Sequence, residues 1–107
     1  MSQADAVSII RAYLYVLLKA GIPITKAYLY GSYARNRATD DSDIDVMLIS
    51  DSFDTADDVI LSQPWLFTTN VDHRIEPVAV GTQRFLTDDV SPLIGIVRKE
   101  GIEILPG

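Results

Sequence analysis

A chain of 107 residues, 48% of them apolar, is long enough to close around a real core, which excludes a disordered tail or a low-complexity tract. Cysteine is absent, so neither a disulfide framework nor a thiolate zinc site can form. Nine basic against 15 acidic residues give a net charge of −6 with no long basic run, which speaks against direct gripping of a nucleic-acid backbone. One domain over residues 1–107 is expected. The first residues lack a basic region and a cleavage site, and the apolar stretch from Ala12 to Ala20 contains Lys19 and is too short to span a bilayer. The expectation is a cytoplasmic protein with no membrane association.

Ser2 to Gly21 reads as a helix. Val7, Ile10, Leu14, Leu17 and Leu18 recur at helical spacing, Ser2 with Asp5 forms a capping box, and Gly21 is a natural stop. After Pro23, Thr25 to Tyr30 reads as a first strand that breaks at Gly31-Ser32. Gly31 permits a close backbone approach, and Ser32 is placed to cap a short helix over Tyr33-Ala34-Arg35. Free N–H groups at such a turn suit an anion such as phosphate. Arg35 and Arg37 lie in the loop that follows, where they can meet phosphate or pair with Asp40 and Asp41. Ser42 is placed to brace the turn before the next strand.

Asp43 to Ser50 reads as the second strand. Side chains alternate along a strand, so Asp43 and Asp45 share one face while Ile44 points to the core. Two neighbouring carboxylates repel unless a cation lies between them, and Mg2+ prefers such oxygen ligands together with substrate phosphates. The plainer alternative is a pair of solvated turn acids.

Asp54 is expected to cap a helix from Thr55 to about Ser62 that Pro64 ends. Trp65, Leu66 and Phe67 form an apolar patch, read first as core and second as a partner surface. His73, the one histidine, has no second His with which to form a ligand pair. Asp72 to Val80 reads as the third strand, with Asp72 and Arg74 on the face of Glu76. Pro77 cannot donate to a ladder, so this strand should be an edge at that point or finish its pairing there. Thr82 is expected to open a short helical turn, Ser91-Pro92 a last helix stopped by Gly101, and Ile102 to Leu105 a closing strand.

The string Gly31-Ser-Tyr-Ala-Arg-Asn-Arg-Ala-Thr-Asp-Asp-Ser-Asp-Ile-Asp45 resembles the signature of the DNA polymerase β-like nucleotidyltransferase superfamily. It is most similar to the small branch of minimal nucleotidyltransferases that often accompany HEPN-domain toxins. Asn36 stands where that family usually has Gly, and Asn is the residue best able to replace it in a left-handed turn. The resemblance implies an α+β nucleotidyltransferase fold, a small mixed β-sheet with helices packed on one face. It implies a third carboxylate from a neighbouring strand: Glu76, with Asp72 as the competitor. Asp43, Asp45 and Glu76 would then be the catalytic, metal-holding residues for two Mg2+ ions. Gly31, Ser32, Arg35 and Ser42 would bind the nucleotide. The implied reaction is transfer of AMP from ATP to a hydroxyl, such as a tyrosine of a partner HEPN toxin, with the chain acting as antitoxin. The rivals are a non-catalytic module that blocks its partner by binding, and transfer to a small molecule. Self-assembly is left open.

Overall fold

The computed structural model describes residues 1–106. Its first helix, α1 (Gln3–Lys19), begins at the expected capping box: the Ser2 hydroxyl accepts from the Asp5 N–H at 3.1 Å and the Asp5 carboxylate accepts from the Ser2 N–H at 2.9 Å. Ala6, Ile10, Tyr13, Leu14 and Leu17 bury one stripe of it. Strands β1 (Lys26–Tyr30) and β2 (Ile44–Ser50) follow, then a crossover containing the short helix α2 (Asp58–Ser62). Strand β3 (Ile75–Gly81), helices α3 (Thr82–Thr87) and α4 (Pro92–Glu100), and strand β4 (Ile102–Ile104) complete the chain.

The strands form one mixed sheet in the order β3–β2–β1–β4. β1 runs antiparallel to β2 and β4, and β2 runs parallel to β3. The parallel pair requires a crossover, which residues 51–74 supply. β3 is an edge strand, as Pro77 requires. The Ile44 N–H donates to the Arg74 carbonyl at 2.8 Å. By alternation, Glu76 and Val78 then turn their N–H groups to β2, and the position of Pro77 faces the free edge, where its missing donor breaks no bond.

The fold class is the α+β arrangement expected, but its layering is fuller. Ala27, Leu29, Ile44, Val46 and Leu48 pack with α1 on one face. Tyr30, Met47, Ile49 and Val80 pack with Ile94 and Val97 of α4 on the other. Helices therefore cover both faces, not one. The physical reason lies in β2, where Val46-Met47-Leu48-Ile49 is apolar without alternation and must be buried on both sides. Asp45 interrupts this pattern and marks the end of the second face that no apolar residue closes.

The crossover also departs from expectation. α2 starts at Asp58, and Asp57 caps it by accepting from the Val59 N–H at 2.9 Å. Asp54 serves a different helix, accepting from the N–H groups of Gln83 at 3.0 Å and Arg84 at 3.3 Å at the start of α3. Its carboxylate fills the space a side chain at Gly81 would need. The α-helix ends at Ser62, just before Pro64, as expected, and the chain goes on as 3-10 turns over Gln63–Asn70. The Pro64 carbonyl accepts from the buried Tyr13 hydroxyl at 2.5 Å. Of the apolar patch, only Phe67 packs on the core; Trp65 and Leu66 are exposed. Asp54→Ala strips α3 of its cap and should cost about 1 kcal/mol. Urea unfolding is expected to show a lower midpoint with an unchanged slope.

Candidate active site

The register places Tyr30 of β1 opposite Asp45 of β2, and Asp45 opposite Glu76 of β3. Residues paired across neighbouring strands point to the same face, so these three side chains form one row. Asp43 stands just before β2, near enough for its charge to act on Glu76. Of the residues singled out in the sequence, Asp45 and Glu76 are thus paired across two parallel strands, with Asp43 adjoining them from the residue before β2.

Their electrostatics follow from this crowding. Burial, then Glu76, then Asp43 push the Asp45 carboxyl up to about 6. Glu76 is raised by desolvation and by the charge of Asp43, although its side chain is exposed. Tyr30, nearly buried beside them, is pushed up to about 12 by burial and by the charges of Asp45 and Glu76. Among the described residues no group of three His, Cys, Asp or Glu side chains is gathered into a ready-made metal cage. Carboxylates repel each other when no cation lies between them. Their chemistry nevertheless fits a hard divalent ion, since every donor is oxygen.

Asp72 is engaged elsewhere. It lies before β3 rather than within it, and the Arg74 guanidinium binds it at 2.7 and 3.0 Å and holds its carboxyl down to about 2. His73 is exposed beside that pair. Neither belongs to the carboxylate row.

The turn after β1 is built for close approach. Gly31 has φ +76°, and a side chain there would strike the Asp45 carboxylate, whose Cγ would lie 3.2 Å from the added carbon. Gly31 is therefore required twice, by its backbone and by Asp45. The short helix expected over residues 33–35 is a set of hydrogen-bonded turns over residues 31–36 instead. Its own bonds use the N–H groups of Arg35 (to Gly31, 3.2 Å), Asn36 (to Tyr33, 3.3 Å) and Arg37 (to Ser32, 2.9 Å). Those of Ser32, Tyr33 and Ala34 are left out of this ladder. Asn36 occupies the left-handed region at φ +55°, as its place in the signature required. That left-handed residue ends the turn before a helix can propagate.

Ser42 braces the loop: its hydroxyl accepts from the Thr39 N–H at 2.8 Å and lies 3.4 Å from the Thr39 hydroxyl. Arg35 pairs with Glu100 of α4, Nε to Oε2 at 2.7 Å, and not with Asp40 or Asp41. Sequence reasoning missed Tyr30 and Glu100. Tyr30 was legible as the residue before Gly31, once β1 and β2 are paired. Glu100 carried no signal, since its partner lies 65 residues away.

Two expectations follow. The Asp45 carboxyl titrates near 6 in the fold against an ordinary 3.8, so the folded chain holds that proton more tightly. Its penalty on stability grows as pH rises through that window and persists above it. In metal-free protein Asp45→Asn should raise the melting temperature by roughly 4 °C at pH 8 and by much less at pH 4, read by calorimetry. Gly31→Ala should cost roughly 2 kcal/mol. Adding Asp45→Ala should recover the steric part of that loss in urea titrations but not the backbone part.

Known proteins bear on this geometry. The family described as "Nucleotidyltransferase domain" matches residues 13–103. A candidate nucleotidyltransferase from Sulfolobus solfataricus has a similar structure, with a TM-score of 0.66 and 14% identity over 94% of this chain and 80% of its own. A toxin–antitoxin structure with AMP-PNP has a TM-score of 0.61 and 21% identity over 91% of this chain and 73% of its own. A mutant of the MntA–HpeT toxin–antitoxin has a TM-score of 0.60 and 19% identity over the same shares, 91% and 73%. No curated protein matches the chain in sequence. At these identities the structural likeness speaks for the fold, and the family match covers most of the sequence. The chain belongs to the nucleotidyltransferase-domain family.

Proposed function

We propose that residues 1–107 form a minimal, magnesium-dependent nucleotidyltransferase that moves AMP from ATP to a hydroxyl group. The acceptor we assign is a tyrosine of a partner HEPN toxin, so that the chain acts as a cytoplasmic antitoxin. The observation that carries the reading is the alignment of Asp45 and Glu76 in one row, with Asp43 beside them and Gly31 against Asp45.

Asp43, Asp45 and Glu76 would hold two Mg2+ ions, which when bound would neutralise phosphate charge and acidify the acceptor hydroxyl. The bare turn at Gly31 lets a triphosphate lie close to the backbone. The N–H groups of Ser32, Tyr33 and Ala34, unused by the turn, are its donors. Arg35 adds a cation, and Ser42 keeps the loop in shape. The acceptor oxygen attacks the α-phosphorus, the bond to the bridging oxygen breaks, and pyrophosphate leaves. Glu76, exposed at this row, is the carboxylate assigned to take the hydroxyl proton.

The partner is supported by the similar toxin–antitoxin structures, one of them with AMP-PNP. A second reading, restraint of the partner by binding alone, has the exposed Trp65 and Leu66 in its favour.

The test is incubation with labelled ATP, Mg2+ and the protein encoded beside this chain. Label should pass to the partner and vanish with a chelator. Asp43→Asn and Asp45→Asn should each lower transfer by roughly 100-fold or more. Equal transfer by Asp43→Asn would remove the metal assignment. Inhibition of the partner by both variants with no label would favour binding alone.

A further inference from the structure

Glu100 is the last residue of α4, and a carboxylate there meets the negative end of the helix dipole. Arg98 and Lys99 are what helix stability asks for at that end; Glu100 is not. Its backbone is nonetheless held firmly. The next residue, Gly101, lies so close to the Val97 carbonyl and the Tyr28 ring that an added Cβ would come within 2.5 and 3.3 Å of them. Ile94 and Val97 of the same helix pack on Tyr30 and Met47, the face that carries Asp45 and Glu76. The Glu100–Arg35 pair therefore ties the turn after Gly31 to α4, the helix that packs on the face of the sheet carrying Asp45 and Glu76.

The atom it holds matters. Contact is through Nε at 2.7 Å, and the guanidinium is a rigid fork, so both terminal amino groups remain for a second anion. Both side chains are about two-fifths exposed, at 44% and 38%, so an isolated pair of this kind adds little to stability. What such a contact does supply is orientation of a long, flexible side chain before its ligand arrives.

We propose that Glu100 is a positioning residue: it holds Nε of Arg35 so that the terminal amino groups of Arg35 meet the phosphates of a nucleoside triphosphate bound at the Gly31 turn. This rests on the nucleotidyltransferase function proposed above. It extends the site to α4, and gives that helix a part in nucleotide affinity beyond covering the sheet.

The test is a double-mutant cycle read by equilibrium titration of a non-hydrolysable ATP analogue with Mg2+, using the whole chain. Glu100→Ala should weaken binding roughly three- to tenfold, Arg35→Ala more, and the double variant no more than Arg35→Ala alone. Glu100→Gln should keep part of the affinity, and thermal melting of Glu100→Ala should match wild type. Wild-type affinity in Glu100→Ala, or losses that add in the double variant, would overturn the brace alone. A wild-type chain that binds no nucleotide would bring down the proposed function, and the brace with it.

Discussion

The carboxylate of Asp45 stands where any side chain at position 31 would have to be. This one contact joins the two halves of the candidate site: the turn that leaves β1 and the acids carried by β2 and β3. It depends in turn on register. Tyr30, Asp45 and Glu76 align only because β1 and β2 pair antiparallel and β2 and β3 pair parallel in a single frame. A slip of one residue in β2 would turn Asp45 into the α1 face and turn Ile44, Val46 and Leu48 out of it. The apolar interior thus enforces the placement of the polar cluster.

That cluster is costly to the fold. Asp45 sits half-buried beside like charges, and Tyr30 offers it no cation. A chain selected for stability alone would place an apolar residue at 45, continuing the run that follows it. Tension of this kind concentrates where binding or chemistry is done, and it is what a divalent ion would relieve.

Much of this was legible in the sequence because it is local. The capping box at Ser2 and Asp5, the Ser91-Pro92 start of α4, the break at Gly31 and the edge position of Pro77 all depend on short-range rules. The acids at 43 and 45 stood out by spacing, whereas a third acid was sought only because of the resemblance, with Glu76 preferred to Asp72 for its place further into the apolar strand. What was hidden depends on tertiary contact. Asp54 reads as the cap of the nearest helix, yet it caps one that starts 28 positions on, because β3 returns parallel to β2 and brings α3 beside it. Helices on both faces were implied by the unbroken apolar run in β2, but which helix takes the second face is settled only by packing. The turn after Gly31 was expected to be helical on propensity, and the left-handed Asn36 overrode that preference.

The proline in β3 reaches beyond its own strand. Pro77 is itself buried, and its backbone nitrogen, next to Glu76 in the edge strand, lies where a donor would otherwise look outward. A foreign strand trying to zip along that border would meet a gap in the middle, so sheet extension and the aggregation that follows from it are discouraged there. Any visitor that seeks backbone pairing is turned toward the three-residue strand at the far border, on the opposite side of the sheet.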